Sequence, residues 1–89
     1  MNIPIRGLMG HQVLEAFAGI AHCLETGQTP TQLTVYCGGV VKEERLTDLF
    51  ESVLPITEAQ GTNKTGCWKP YHIHNIFKYR EVILNEYLK

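Results

Sequence analysis

The chain has 89 residues, of which 44% are hydrophobic and 19% are charged, and its formal net charge is −1. This composition is typical of one small globular domain and excludes disordered, collagen-like and coiled-coil proteins. No apolar run reaches the roughly 20 residues that span a bilayer, and the first residues lack the apolar core of a signal peptide. We therefore expect a single domain, residues 1–89, in the cytoplasm and without a membrane partner.

The first predicted element is an amphipathic helix from Met9 to Thr26, which Gly27 ends as a left-handed stop. Apolar side chains recur along it at helical spacing: Val13, Leu14, Phe17, Ile20, Ala21 and Leu24. Beside them runs a line of small residues that lets another backbone approach closely: Ala16, Gly19 and Cys23. We expect this line to pack on another helix of the same chain, with a homodimer through the same face as the alternative.

Residues 28–41 are compatible with two structures. Leu33–Cys37 alternate and are rich in β-branched side chains, and Gly38-Gly39 then precede Val40-Val41. Two β-prone runs joined by Gly-Gly predict a small β-hairpin at residues 33–41. Thr29 as N-cap and Pro30 at the first helical position would instead begin a short helix. The β-branched content favours the hairpin.

A second helix is predicted from Lys42 to Leu54, where Pro55 ends it. Its buried stripe consists of Leu46, Leu49, Phe50 and Val53. A short helical turn is expected to follow through Ile56 to Gln60. The loop formers of residues 61–70 come next.

A third helix is predicted from Pro70 to Leu88. Its apolar face consists of Ile73, Ile76, Phe77, Ile83, Leu84, Tyr87 and Leu88. Arg80 interrupts this face, and three explanations remain open: a stem that snorkels to water, an ion pair with Asp48 or Glu58, or a kink near Tyr79. The fold class expected is therefore mainly α, with three principal helices and the hairpin at 33–41.

No catalytic residue, metal or cofactor is expected. Cys67, His72 and His74 are close in sequence but lack the paired spacing of zinc ligands, and nothing would orient a Cys–His pair for nucleophilic attack. The loop 61–66 lacks the ending of a phosphate-binding loop. The side chains of His11, Glu15 and His22 share a polar helix face and are expected to be solvated. The three cysteines, an odd number at wide spacing, are expected to be reduced thiols.

The charges are unevenly distributed. Residues 1–58 contain three basic and seven acidic residues, whereas residues 59–80 contain four basic residues, four aromatic residues and no acidic residue. Cations interleaved with aromatic rings suit an anionic partner with stackable bases, and a solvated charged face is the alternative. The residues expected to bind are Lys64, Trp68, Lys69, Tyr71, His72, Asn75, Lys78, Tyr79 and Arg80.

From Pro55 onward the chain combines a short helix, Gly61, a polar loop, Gly66-Cys67-Trp68 and a helix that carries Ile73 and Ile76. This order resembles the helix-turn-helix segment of some site-specific DNA recombinases. The resemblance implies that the third helix is a recognition helix, with His72, Asn75, Lys78 or Tyr79 directed outward.

The sequence therefore predicts a small, non-catalytic regulatory module that binds nucleic acid through residues 62–80, as a dimer. The alternative is a protein-binding inhibitor or adaptor of the kind that phages and mobile elements encode. Its acidic surface would suit a basic partner, with Trp68, Tyr71 and Tyr79 as aromatic anchors.

Overall fold

Three parallel strands and the helices that connect them form the fold. The computed structural model describes residues 1–6, 10–36, 42–61 and 73–88. In these ranges the elements are β1 (Asn2–Arg6), α1 (Gln12–Glu25), β2 (Gln32–Tyr36), α2 (Glu44–Phe50), β3 (Ile56–Ala59), α3 (Ile73–Lys78), α4 (Arg80–Val82) and a π-helical segment (Ile83–Tyr87). We refer to residues 73–87 as the C-terminal helical region.

The sheet has the strand order β1-β2-β3, and both neighbouring pairs are parallel. Parallel neighbours need a crossover connection, which α1 provides between β1 and β2 and α2 provides between β2 and β3. In the register, Ile3 lies beside Leu33, and Leu33 lies beside Ile56. Because side chains alternate along a strand, these residues share one face of the sheet.

The expectation of a mainly α fold is wrong, since the described residues form an α/β structure around a parallel sheet. Two strands were missed. Asn2–Arg6 contains Pro4, which is tolerated in a strand at a sheet edge, and β1 is such an edge in the described sheet. Residues 56–59, expected to form a helical turn, are β3. A helix-turn-helix needs a helix at this position, so that resemblance does not hold.

The strand expected within residues 33–41 is confirmed as β2, and the alternative helix is wrong. Its neighbours are β1 and β3 rather than the second half of a hairpin, whose residues 40–41 lie outside the described ranges. Leu33, Thr34 and Val35 are all buried, as expected for the central strand of a covered sheet. On the face opposite Leu33, Thr34 Oγ1 donates to Asn2 Oδ1 (2.8 Å) and lies 3.3 Å from Thr57 Oγ1.

Helix α1 agrees with its prediction to within three residues at each end. Gly27 has φ +72°, the left-handed conformation expected after a helix, and the Gln28 N–H donates to the Cys23 carbonyl (2.8 Å). The small residues Ala16, Gly19 and Cys23 are buried within the chain.

The hydrophobic core lies between the sheet and the helices. Its buried members are Ile3, Ile5, Ala16, Ile20, Ala21, Cys23, Leu33, Val35, Leu46, Phe50, Leu54 and Ile83. Phe50 contacts Phe17 edge to face, with ring centroids 5.4 Å apart. Helix α2 is shorter than the predicted 42–54, and Val53 is exposed because the chain leaves the helix after Phe50.

The C-terminal helical region is not the continuous helix that the sequence predicts. Tyr79 interrupts it with φ −105° and ψ 14°, and after Val82 it continues with π-helical winding. Ile83 is buried in the hydrophobic core. Phe77 and Leu84 are exposed, so the predicted apolar face is wrong at these two positions. The predicted start, residues 70–72, lies outside the described ranges. No helix within those ranges has the length and hydrophobicity needed to span a bilayer.

Candidate binding surfaces

The predicted binding segment is only partly described. Five of its residues lie outside the described ranges: Lys64, Trp68, Lys69, Tyr71 and His72. The other four, Asn75, Lys78, Tyr79 and Arg80, belong to the C-terminal helical region, where Lys78 and Arg80 are exposed and Asn75 and Tyr79 are half-buried. The structure therefore tests how these four side chains are used within the chain.

Glu25, the last residue of α1, forms hydrogen bonds with two of these four side chains, Lys78 and Tyr79. Its Oε2 accepts hydrogen bonds from Lys78 Nζ (2.9 Å) and from the Tyr79 hydroxyl (2.8 Å), and Lys78 Nζ lies 5.3 Å from the centre of the Tyr79 ring. We refer to these three residues as the Glu25 clamp. Lys78 and Tyr79 are thus engaged by α1, which the sequence analysis did not anticipate.

The clamp changes the acidity of all three groups. The hydrogen bond from Lys78, with that from Tyr79, holds the pKa of the Glu25 carboxyl below its ordinary value. The same contacts with Glu25 raise the pKa of the Lys78 ammonium and the pKa of the Tyr79 hydroxyl. The clamp is therefore complete while Glu25 is ionised and both partners keep their protons.

Arg80 does not pair with Asp48 or Glu58, the partners considered from the sequence. Its Nη1 donates to the Phe77 carbonyl at 2.7 Å, and the side chain is exposed. The interruption of the helix at Tyr79 immediately precedes it. Of the three explanations for Arg80, the structure agrees with a break near Tyr79 that directs the guanidinium outward.

A polar network at the carboxyl ends of the strands was missed by the sequence analysis. Arg6, the last residue of β1, donates to Glu15 from its backbone N–H (3.2 Å) and from Nε (3.0 Å). Glu15 is 4% exposed, so its expected place on a solvated helix face is wrong. The signal that could have found this pair is the alternation of Asn2–Arg6, which predicts a strand that ends beside the first turn of α1.

Glu43, the residue before α2, also forms hydrogen bonds at the carboxyl ends of the strands. Its Oε1 accepts a hydrogen bond from the Gly10 N–H (2.8 Å), and its own N–H donates to Gln12 Oε1 (2.8 Å). The bond from Gly10, helped by Arg45 at 3.2 Å, holds the pKa of the Glu43 carboxyl below its ordinary value. The side chain is 8% exposed. A carboxylate of the chain itself thus lies where the start of α1 would attract an anion.

The outer side of α2 is acidic. Glu44, Asp48 and Glu51 are exposed and follow one another at helical spacing, and no ion pair to them is found in the described part of the chain. Asp48 and Glu51, with Thr47 and Ser52, also line a shallow cleft of about 280 Å³. This side of the molecule presents negative charge and hydroxyl groups.

The described residues contain no group of three or more His, Cys, Asp or Glu side chains that could hold a metal ion. Cys67 and His72, considered for metal binding or catalysis, lie outside the described ranges, and His74 is exposed. Cys23 is buried beside Met1, with Sγ and Sδ 3.4 Å apart, and burial raises the pKa of its thiol. No protein-family model, curated protein or solved structure matches the chain, so the function of these surfaces is inferred from their own chemistry.

Proposed function

We propose that the chain is a small, non-catalytic regulatory module that binds nucleic acid through residues 62–80. The observation that carries this proposal is the distribution of charge. Residues 59–80 contain four cations, four aromatic residues and no carboxylate, while all nine carboxylates of the chain lie elsewhere. Such a segment attracts the phosphate backbone and offers rings on which bases stack. The odd number of cysteines suits a reducing compartment such as the cytoplasm.

The Glu25 clamp refines the roles within this segment. Lys78 is neutralised by Glu25, so we assign the main phosphate contacts to Lys64 and Lys69. Asn75 and His72 are the candidates for contacts with base edges, because their side chains can both donate and accept hydrogen bonds.

The contact between Glu43 and the start of α1, at the carboxyl ends of the strands, supports a binding role rather than catalysis on a bound phosphate group. In open α/β sheets, ligands bind beyond the carboxyl ends of the strands, and phosphates bind at helix N-termini. Here Glu43 occupies the N–H of Gly10 at the start of α1. A phosphate at this position would meet the negative charge of the Glu43 carboxylate, and the Gly10 N–H is already engaged.

The test is a fluorescence-anisotropy titration with duplex and single-stranded oligonucleotides at several salt concentrations. Lys64→Ala and Lys69→Ala should each weaken binding and reduce the log–log salt slope by about one unit, because each cation that neutralises a phosphate releases a counterion. Lys78→Ala should have a smaller effect. Asn75→Ala and His72→Ala should alter sequence preference more than salt slope. Lys42→Ala, outside the segment, is the matched control.

Glu25→Ala gives a sharper test of the same proposal. Removing the carboxylate frees the ammonium of Lys78 beside the binding segment, so affinity and salt slope should both rise. The double variant Glu25→Ala/Lys78→Ala should lose this gain. Absence of binding to either oligonucleotide at low salt, where electrostatic attraction is strongest, would rule out the proposal.

A second candidate function is a protein-binding module for a basic partner, which the acidic side of α2 favours. Negative charge at Glu44, Asp48 and Glu51 attracts Lys- and Arg-rich segments. A Lys-rich peptide should then bind the wild-type chain, and the Asp48→Lys/Glu51→Lys variant should lose that binding. Glu86→Lys, which changes an exposed carboxylate elsewhere, is the control. An unchanged affinity in the Asp48→Lys/Glu51→Lys variant would exclude this surface.

A further inference from the structure

The face of the sheet that lies opposite the hydrophobic core is polar. Leu33 and Val35 of β2 are buried in the core, to which the helices contribute Ile20 of α1, Phe50 of α2 and Ile83 of the C-terminal helical region. The described helices therefore pack on the face of Leu33 and Val35. Side chains alternate along a strand, so the opposite face, which we call the polar face, carries Gln32, Thr34 and Tyr36 of β2.

Hydrogen-bonding side chains extend across all three strands of the polar face. Thr34 Oγ1 donates to Asn2 Oδ1 of β1 at 2.8 Å and lies 3.3 Å from Thr57 Oγ1 of β3. Thr34 is buried among these neighbours, whereas Asn2 and Thr57 are exposed. Among the described residues, no hydrogen bond of the half-buried Gln32 amide is found. The polar face thus offers amide and hydroxyl groups that can both donate and accept hydrogen bonds.

Tyr36 lies on this face at the carboxyl end of the central strand. Its register partners are Arg6 of β1 and Ala59 of β3. The residue is half-buried, and within the described part of the chain its hydroxyl makes no hydrogen bond. A part-exposed aromatic ring on the surface of a sheet is a platform on which a nucleic-acid base can stack.

The strand residues of the polar face include no acidic side chain. Glu58 is the one carboxylate of the three described strands, and it is the register partner of Val35, so it belongs to the opposite face. The other eight carboxylates of the chain lie in the helices or at their ends. The charge of Arg6, at the end of β1, is paired with that of Glu15. Phosphate groups would therefore meet no repelling charge from the strands on this face.

The polar face leads directly into the proposed binding segment. Ala59, beside Tyr36, ends β3 and is the first residue of the stretch 59–80, which contains four cations, four aromatic residues and no carboxylate. Lys64 is the first of these cations. The chain from Ala59 to Lys64 spans at most about 18 Å, so a nucleic acid that contacts Lys64 is within reach of Tyr36.

We propose that the polar face receives the bases of a single-stranded nucleic acid, with Tyr36 as the residue on which a base stacks. The inference rests on the proposed function, because residues 62–80 supply the contacts to the phosphates. It adds the class of nucleic acid and a second contact surface. Duplex grooves admit a helix or a two-stranded ribbon, whereas a broader sheet face receives bases that are separated from a partner strand. Asn2, Gln32 and Thr57 then hydrogen-bond to the free edges of those bases.

Fluorescence anisotropy with the full chain tests the class of nucleic acid. The probes are a single strand of about 12 nucleotides, made as DNA and as RNA, and the duplex of the same sequence. At least one of the two single strands should bind about tenfold more tightly than the duplex, since only its bases are free to stack on Tyr36. The comparison of DNA with RNA shows whether a 2′-hydroxyl contributes to the contact.

Substitution of Tyr36 tests the stacking platform. Tyr36→Leu removes the ring and keeps an apolar side chain, so it should weaken single-strand binding about tenfold. The log–log salt slope should stay unchanged, because no cation is lost. Tyr36→Phe keeps the ring and should bind as the wild type does. Leu14→Ala, which removes an exposed apolar side chain from α1, is the control, and circular dichroism verifies that each variant is folded.

A carboxylate introduced on the polar face tests it independently of Tyr36. Thr57→Glu changes an exposed side chain and should weaken single-strand binding several-fold, because the new charge repels the phosphates. Val53→Glu adds the same charge at an exposed position beyond α2 and should leave the affinity within about twofold of the wild type, since salt screens distant charges.

Two results would overturn the inference and leave the proposed function in place. The first is an unchanged single-strand affinity in Tyr36→Leu and Thr57→Glu while Lys64→Ala and Lys69→Ala weaken binding. The second is a duplex that binds as tightly as both single strands. Absence of binding to every probe at low salt would instead rule out the proposed function, and this inference with it.

Discussion

Glu25 and Lys78 lie 53 residues apart in the sequence, and their ion pair, 2.9 Å long, joins the end of α1 to the end of α3. Together with the bond from Tyr79 it is a polar contact at the boundary between α1 and the C-terminal helical region. The apolar part of this boundary comes from half-buried side chains such as Ile76 and Tyr79. The Glu25 clamp thus adds charged contacts to a modest apolar interface.

The Glu25 clamp should stabilise the folded chain within a pH window that has one acidic and one alkaline limit. The pKa of Glu25 is lowered by folding, so the stability that it contributes is present above its ordinary pKa and is lost as the pH falls through the folded value. The pKa values of Lys78 and Tyr79 are raised, so their contributions are lost as the pH rises through the folded values. Melting temperatures of wild type and Glu25→Gln should therefore differ most between mildly acidic and mildly alkaline pH. Parallel melting curves at every pH would contradict this role.

The hydrogen bonds of Glu43 predict that its substitution destabilises the fold more than substitution of the neighbouring Glu44. Glu43→Ala should lower the melting temperature and speed hydrogen exchange at the Gly10 amide, because that N–H loses its acceptor. Glu43→Gln keeps an acceptor oxygen and should have a smaller effect. Folding lowers the pKa of Glu43, so the difference between wild type and Glu43→Gln should shrink as the pH falls through the folded value.

The control for this network is Glu44→Ala, which removes an exposed carboxylate at the next position. It should leave both the melting temperature and the exchange rate of Gly10 nearly unchanged. Equal effects of Glu43→Ala and Glu44→Ala would mean that the contact with Gly10 is not formed in solution.

The burial of Phe50 and Phe77 differs in the structure, whereas the sequence pattern predicts that both are buried. Phe50 is fully buried and Phe77 is 61% exposed, although the helical pattern predicts both in the core. Phe50→Ala should cost about 3–5 kcal/mol of unfolding free energy, since it leaves a cavity in the core. Phe77→Ala should change it by less than about 0.5 kcal/mol. Urea unfolding followed by circular dichroism measures both, and a large loss from Phe77→Ala would contradict its exposure.

The elements that were predictable are those whose signals are local. Helix α1 shows helical periodicity over three turns and a glycine stop, and β2 is rich in β-branched side chains. Strands β1 and β3 have five and four residues, and their pairing is with β2, far away in the sequence. No local pattern reports such a pairing, and Pro4 in β1 argues against a strand unless its edge position is known.

The polar sites depend on those missed strands. Glu15 was expected to be solvated because its partner, Arg6, is positioned only once β1 exists. The predicted apolar face of the third helix is wrong at Phe77 and Leu84 for a different reason. Periodicity arguments assume one uninterrupted α-helix, whereas α-helical winding is interrupted at Tyr79 and gives way to π-helical winding from Ile83.

The hydrogen bond from the Arg6 N–H to Glu15 has a consequence for the edge of the sheet. N–H groups of alternate residues in a strand point to the same side, so the nitrogen of Pro4 faces the same way as that of Arg6, away from β2. Proline offers no hydrogen there, and the hydrogen of Arg6 is already used. An incoming strand would find two of the donor positions on this edge closed to it. The border of β1 is thereby protected against the edge-to-edge growth through which exposed strands aggregate.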